Sequence, residues 1–508
     1  MTQDSQFKVI SSADFPDRAP VINGLSPKHM KQWRVVPVAV DPEMVTVAIA
    51  DASDLYVREI LSSIYQCEVR LVIAAEEDIL SAIYRWYEAE VDITGGESGE
   101  DPRSETDLWD DPEQLKDMAS EAPVVRLVNH LISQAIEVKA SDIHFEPFRE
   151  KLKVRYRIDG VLHEMESIAK KLQPAITSRI KLMAKMNIAE MRLPQDGRIK
   201  VKEGQRDIDI RVSSLPTLFG ESLVLRLLNR EEVRLELESL GMPAGLLKRF
   251  ERVITRPYGM VLVTGPTGSG KTTTLYAVMN RINSSDKKIV TVEDPVEYQL
   301  DGINQIHVRT NIGLTFASAL RTILRQDPDV ILVGEIRDQE TAEIAVQSAL
   351  TGHVVFSTLH TNDASSAVTR LQEMGVESYL LSSCLLAVLA QRLVRRICPH
   401  CREEYVPSPG LFEEVIHAFG LEGVKVPETL WRGKGCQLCA GTGYSGRMGI
   451  YEFLEVNDEV RMLIMQGADS SAIQDAAMKN FMRTLRQDGL QKVLEGETTF
   501  EEVVRVAS

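Results

Sequence analysis

Gly265-Pro266-Thr267-Gly268-Ser269-Gly270-Lys271-Thr272 decides the fold of this chain. It fits the pattern G-x-x-x-x-G-K-[ST], and its neighbours supply the context that pattern needs. Met260-Val-Leu-Val-Thr264 ahead of it is an apolar run that predicts a buried strand, and Thr273 to Met279 behind it predicts a helix. A strand that turns through glycines into a helix N-terminus aims several backbone N–H groups and a positive dipole end at one point, which suits a polyphosphate. Lys271 is then placed to reach the β and γ phosphates, and the Thr272 hydroxyl to ligate Mg²⁺. The candidate binding set for ATP and Mg²⁺ runs from Gly265 through Thr273. The plainer alternative is a glycine-rich turn that binds nothing.

Two acidic residues follow at the ends of expected strands. Lys288-Ile-Val-Thr-Val292 is closed by Glu293-Asp294-Pro295. A carboxylate at the C-terminal edge of a parallel strand faces the crevice where open α/β sheets bind ligands, so Glu293 is a candidate to orient or deprotonate an attacking water. An acidic turn residue is the alternative. Asp329 to Val333 is a second apolar strand, and Glu335 just beyond it stands where an acid approaches the Mg²⁺ shell. Its extra methylene relative to Asp favours contact through a metal-bound water. His353 and His360 flank Val354-Val-Phe-Ser-Thr358. Positions seven apart cannot share a face of one straight strand, so His360 is expected past its end, beside the γ-phosphate, and His353 at its start as a structural group. Arg206, Arg211 and Arg226 on candidate strands, with Arg321 and Arg325 on a helix, could bridge a transferring phosphoryl group through paired N–H groups. Solvated or ion-paired arginines are the common alternative.

Of six cysteines, Cys67 and Cys384 stand alone, whereas Cys398-Pro-His-Cys401 and Cys436-Gln-Leu-Cys439 form two C-x-x-C pairs. In a reducing compartment four such thiolates suit a closed tetrahedral Zn²⁺ site, which leaves no open position for catalysis. The 34 residues between the pairs exceed the usual ribbon spacing, so an inserted helix is expected over Leu411 to Gly420. A redox pair would need one C-x-x-C at a helix start after a strand, a context absent here.

With 58 basic against 74 acidic side chains the net charge is −16, which repels nucleic acid, so no nucleic-acid partner is expected. A DNA-translocating motor would need a local basic stripe. Asp4, Asp14 and Asp17 interrupt any N-terminal apolar leader, and the apolar stretch Ser378 to Gln391 is shorter than the roughly 18 residues a spanning helix requires. A cytosolic chain is expected.

Composition and periodicity divide the chain into six parts. Residues 1–90 alternate short strands with helices over Leu55 to Tyr65 and Glu77 to Tyr87, as a small α+β module. Residues 91–122 are rich in Asp, Glu, Gly and Ser and predict a flexible acidic linker. Residues 123–230 form a second α+β domain with a hairpin turn at Asp159-Gly160. Residues 231–395 alternate strands and helices around the phosphate loop, 396–445 hold the cysteines, and 446–508 predict a helical remainder.

These motifs together resemble a known family. Gly265 to Thr272, Thr291-Val-Glu-Asp-Pro-Val-Glu297, Leu324-Arg-Gln-Asp-Pro-Asp329 through Gly334-Glu-Ile-Arg-Asp338, and Thr351 to Asn362 look like the phosphate loop, Asp box, second acidic box and His box of the secretion superfamily ATPases. Ala140-Ser-Asp-Ile-His-Phe-Glu-Pro147, Arg155-Tyr-Arg-Ile-Asp-Gly160 and the cysteine insert point within it to type II secretion, with type IV pilus assembly as the nearest alternative. The resemblance runs from about residue 123 to the C-terminus. It implies an α/β fold: a RecA-like P-loop ATPase core preceded by a PAS-like α+β domain and an N-terminal α+β module, with a tetracysteine zinc insert. It further implies a homo-hexamer, Arg211 and Arg226 as arginine fingers, and Arg321 and Arg325 as secondary candidates. The implied partners are the cytoplasmic domain of the inner-membrane platform protein L, docked by residues 1–90, and the polytopic platform protein F. ATP hydrolysis would extend a pseudopilus from a cytoplasmic ring recruited to the inner membrane. The first 90 residues match less sharply and lack the leucine- and glycine-patterned segment by which some pilus relatives bind cyclic di-GMP.

Overall fold

The computed structural model describes residues 33–40, 44–50, 67–83, 112–120, 122–203, 206–229, 236–407 and 428–507, with positions 10, 14–16, 20, 30, 61 and 86. The chain divides into two units, Met1–Arg103 and Ser104–Ser508. In the first, alternating apolar residues form β1 (Val35–Val40), β2 (Met44–Ile49) and β3 (Glu68–Ile73), with β1 antiparallel and β3 parallel to β2. Because successive side chains point to opposite faces, Val36, Ala48 and Val72 pack with Ile79 and Ile83 of α1 (Glu76–Ile83), while Val35, Val47 and Leu71 enclose Leu61. Apart from Leu61, the helix expected over Leu55 to Tyr65 lies outside the described residues, as does the one expected over Leu411 to Gly420.

The second unit opens with α2 (Pro112–Ser120), inside the stretch expected to be linker. Leu115 and Ala119, four apart on one helical face, are buried and Met118 packs against the next domain's core, so three apolar residues anchor an otherwise acidic segment. Next come α3 (Ala122–Glu137), β4 (Asp142–Pro147), β5 (Lys151–Ile158), β6 (Val161–Ala169), α4 (Gln173–Met183), β7 (Gln195–Glu203), β8 (Arg206–Thr217) and β9 (Gly220–Asn229). The six strands form an antiparallel sheet in the order β6-β5-β4-β9-β8-β7. Asp159 and Gly160 both take left-handed backbone angles, φ 48° and 87°, as a two-residue hairpin requires. Val128, Leu131, Ile132 and Ala135 recur at helical spacing on α3 and pack with Ile143, Phe145, Tyr156 and Ile210 of the sheet. Residues paired across strands share a face, and register aligns Arg157, Asp142, Arg226, Arg211 and Arg198 in one row across β5, β4, β9, β8 and β7.

The nucleotide-binding core adds α5 (Ala244–Ile254), β10 (Gly259–Thr264), α6 (Lys271–Ile282), β11 (Ile289–Glu293), β12 (Asn304–His307), α7 (Phe316–Ile323), β13 (Val330–Val333), α8 (Gln339–Leu350), β14 (Val354–Leu359), α9 (Ser365–Glu373), α10 (Ser378–Cys384) and β15 (Leu385–Ile397). A hairpin of β16 (Arg402–Tyr405) and β17 (Leu430–Gly433) precedes β18 (Tyr444–Glu455) and four helices, Asp458–Gln466, Ser470–Lys479, Leu485–Leu494 and Phe500–Ala507. The main sheet has seven strands in the order β12-β11-β13-β14-β10-β15-β18. Neighbours are parallel except β15 and β18. Every residue of β10 and β14 is buried, the pattern of parallel strands covered by helices on both faces.

The apolar stretch at Ser378 to Gln391 is divided between α10 and β15. Residues 446–508, expected to be helical, instead begin within β18 before turning helical. β18 supplies an antiparallel edge to an otherwise parallel sheet. Among the described residues no helix is long and apolar enough to cross a membrane.

One buried ion pair organises the second domain. Lys181 Nζ donates to both carboxylate oxygens of Glu221, at 2.9 and 3.0 Å, and to the Glu190 carbonyl at 2.7 Å, while the Ser214 hydroxyl donates to Glu221 at 2.8 Å. Removing one member strands the other charge in a low-dielectric interior, so Glu221→Ala should destabilise this domain by about 3–5 kcal/mol, read as a lowered urea midpoint.

Candidate functional site

The phosphate loop leaves β10 and packs against β15. A β-carbon on Gly265 would stand 2.5 Å from the Gln391 carbonyl oxygen and 2.6 Å from Ser269 Oγ, so only glycine permits this approach. Gln391 also accepts a hydrogen bond from the Thr274 hydroxyl at 2.7 Å, tying α6 to β15. Lys271 Nζ curls back to donate to the carbonyls of Gly265 (2.7 Å) and Pro266 (3.1 Å). Burial pulls its pKa down to about 8 against the opposing pull of Glu335. Ser269 Oγ is buried and makes no hydrogen bond, an unpaired donor inside a cradle of backbone N–H groups at a helix start. These features fit a polyphosphate.

Glu293 ends β11 and is 4% exposed. It accepts hydrogen bonds from the Tyr276 hydroxyl, from Thr291 Oγ1 at 2.5 Å and from Gln305 Nε2 at 3.2 Å. Glu335 follows β13, pairs with Arg337 and lies 3.5 Å from His360 Nε2. His360 stands past the end of β14, and its loop is pinned by Thr264 Oγ1, which accepts from the Thr361 N–H at 2.9 Å. His353 points elsewhere: just before β14, its Nδ1 lies 3.0 Å from the Ser348 carbonyl of α8.

A cleft of about 580 Å³ gathers these groups: Lys271, Glu293, Glu335, His360 and, from the second domain, Arg226 all line it. Arg226 Nε lies 3.0 Å from Asp142 Oδ1. Arg211 does not line the cleft; its Nη2 lies 3.5 Å from Glu297, which does. Arg321 and Arg325 are not brought to it either. Arg321 pairs with Glu340 of α8, and Arg325 donates to the Arg321 carbonyl and to Thr322, so both serve the outer face of α7. The side chain of Arg206 lies outside the described residues. Sequence reasoning passed over Arg337 and Arg447, which line the cleft, and the donors Tyr276 and Gln305. Arg337 sits two residues after Glu335, a signal that was available; Arg447 lies on β18, a strand without a readable pattern.

The four sulfurs of Cys398, Cys401, Cys436 and Cys439 lie within 4.8 Å of one another. Three separations are 3.7, 3.9 and 3.9 Å. A tetrahedral Zn²⁺ with Zn–S near 2.3 Å requires sulfurs about 3.8 Å apart, so the set fits that ion. Backbone N–H groups of Gly435, Cys436 and Gly443 point at the sulfurs at 3.2 to 3.3 Å, as a thiolate cluster favours. Cys384 is buried apart from them, and burial pushes its thiol up to about 12.

Residues 117–505 match the family described as Type II/IV secretion system protein, and residues 5–93 match the MshEN domain, which covers the module that the motifs above did not reach. The chain is 50% identical over 495 residues to Type II secretion system protein E of Xanthomonas campestris pv. campestris, spanning 97% of this chain and 86% of that relative. It is 44% identical over 501 residues to the type IV pilus assembly ATPase PilB of Myxococcus xanthus, spanning 97% and 88%. Among solved structures, the ATPase DotB of Legionella pneumophila shares the fold, with a TM-score of 0.55 at 20% identity over 75% of this chain and 95% of that one. On the extent of these matches, the chain belongs to the type II/IV secretion system protein family of secretion ATPases and carries an MshEN domain at its N-terminal end.

Proposed function

We propose that this chain is the ATPase of a type II secretion system, acting as a homo-hexameric ring on the cytoplasmic face of the inner membrane and driving pseudopilus extension. The observation that carries the reading is the convergence of the phosphate loop, Glu293, Glu335, His360 and Arg226 on one cleft. Identity to the secretion relative exceeds that to the pilus relative, 50% against 44%, which favours secretion over pilus assembly. Platform protein L would dock on residues 1–90, and platform protein F would receive the motion.

In the cleft, Lys271 would exchange its carbonyl partners for the β and γ phosphates, Thr272 would hold Mg²⁺ directly and Glu335 would hold it through a water. Mg²⁺, when bound, neutralises charge on the β and γ oxygens. Glu293 would orient the attacking water, and His360, beside Glu335, would contact the γ-phosphate. Arg226 and Arg211 would bridge the transferring group after leaving Asp142 and Glu297, a rearrangement that needs the second domain to close on the core. Lone chains should therefore hydrolyse feebly, and specific activity should rise with protein concentration, with platform partners and with anionic lipid. The tetracysteine set would hold a structural Zn²⁺.

Lys271→Ala, with an unchanged circular dichroism spectrum, should abolish binding of a fluorescent ATP analogue, and retained binding would remove the site assignment. Glu293→Gln and Glu335→Gln should each lower phosphate release by about 10²–10⁴-fold. Elemental analysis should find one zinc per chain. Cys436→Ala should release it and lower the melting temperature, since metal binding contributes about 10–16 kcal/mol of ordering in small modules.

A further inference from the structure

We infer that Tyr276 is a positioning residue for the hydrolytic step: its hydroxyl, backed by Thr291 and Gln305, locks the Glu293 carboxylate in the orientation that presents it to the attacking water. Donor and acceptor accounting fixes where the tyrosine proton lies. The backbone N–H of Glu297 reaches the Tyr276 oxygen at 3.2 Å, and an N–H can only donate, so the hydroxyl accepts there. Its own proton is then directed to Glu293 Oε2. Thr291 and Gln305 both donate to Oε1. A carboxylate offers about four lone-pair sites, and three are taken. The one left is on Oε2, the oxygen held by Tyr276, and Glu293 lines the nucleotide cleft. Without the hydroxyl, Oε2 would lose the bond that sets its direction, and the Glu297 N–H would lose its acceptor.

Placement gives this bond a further consequence. Tyr276 is fully buried, one and a half turns into the helix that begins at Lys271, and its ring packs edge-on against Tyr298 at 5.9 Å between centroids. Small shifts of α6 as the loop grips phosphate are thus passed through a rigid ring to Glu293. On the other side, the residue that anchors the hydroxyl, Glu297, pairs through its carboxylate with Arg211 of the second domain. The water-orienting group is so tied to both elements that must come together around a nucleotide.

The inference rests on the reading of Glu293 given above. Tyr276→Phe in the full-length protein keeps the ring and removes only the hydroxyl. Loss of a hydrogen bond to a charged group should cut kcat about tenfold or more. KM for ATP and affinity for a fluorescent ATP analogue should stay within about twofold, because nucleotide contacts are not touched; the melting temperature should fall modestly, since buried polar partners are lost, with the protein fully folded at the assay temperature. An unchanged kcat, or a loss of kcat matched by a raised KM or by a weakened affinity for the analogue, overturns the proposal. If Tyr276→Phe does not fold, Thr291→Val, which removes another donor to the same carboxylate without changing shape, must show the same fall in kcat at constant KM, and its failure to do so overturns the proposal equally. Glu293→Gln separates the two readings: activity equal to the parent's removes Glu293 from the chemistry, whereas an inactive Glu293→Gln beside a fully active Tyr276→Phe removes Tyr276 alone.

Discussion

The approach of the phosphate loop to β15 at Gly265 is the constraint from which the remaining geometry follows. Loop and strand meet so closely that a single methyl group at position 265 would collide with the Gln391 carbonyl. At the adjoining residue, the buried Arg392 guanidinium donates to the Asn362 carbonyl at 2.8 Å, which anchors the chain just past His360. Beside it on β18, the buried Glu452 carboxylate accepts the Ala364 N–H at 2.8 Å. Five residues of backbone after β14 are therefore referenced to β15, against which the phosphate loop packs, and to its neighbour β18. This is how a group as exposed as His360 comes to stand next to Glu335 without any packing of its own.

The same strand explains the place of the cysteines. β15 ends at Ile397, and Cys398 follows immediately. Its N–H donates to the Gly443 carbonyl at 2.9 Å, and a β-carbon on Gly433 would overlap the Gly443 backbone at 1.9 Å. Both knuckles are thus pinched together at the point where β15 runs out and β18 begins. A metal held there would order the two antiparallel strands at their open end, and Arg447 of β18 lines the cleft from that same strand. The cluster would then act on the site through the backbone.

Legibility in the sequence followed how locally each feature is encoded. The phosphate loop, Glu293, Glu335 and the cysteine pairs sit in short patterns whose spacing carries their geometry, and β10, β11, β13 and β14 are buried on both faces and so appear as near-continuous apolar runs interrupted only by small hydroxyl residues before their ends. β15 follows α10 without a turn residue, so the boundary between them left no mark in the apolar run. β18 places a buried Glu452 within its apolar second half, and its first half is largely exposed, which erases the periodicity. Arg321 and Arg325, secondary candidates in the sequence, stand away from the cleft because of how α7 and the turn after it pack, a tertiary fact. Tyr276 read as one more apolar helix residue, since only the partner at the far end of its ring distinguishes it.

Charge pairing explains why such a site can be stable before it binds anything. Within the row Arg157, Asp142, Arg226, Arg211 and Arg198 there are four guanidinium groups and one carboxylate, 4 − 1 = +3, on one face of a sheet. Asp142 lies 3.7 and 3.0 Å from Arg157 and Arg226, and Glu297 of the core compensates Arg211 from outside the row. On the core side Arg337 is held by Glu335, and Lys271 by carbonyl dipoles of its own loop. Each cation that a polyphosphate would need is occupied by a weaker anion or dipole, so binding exchanges partners and does not uncover bare charge. On the proposed role of Arg226 and Arg211, that exchange would move ties from within or between domains onto one shared ligand. Their present partners, Asp142 and Glu297, lie on different domains, so a polyanion drawing both arginines would change the balance of forces across the domain boundary as well as inside it.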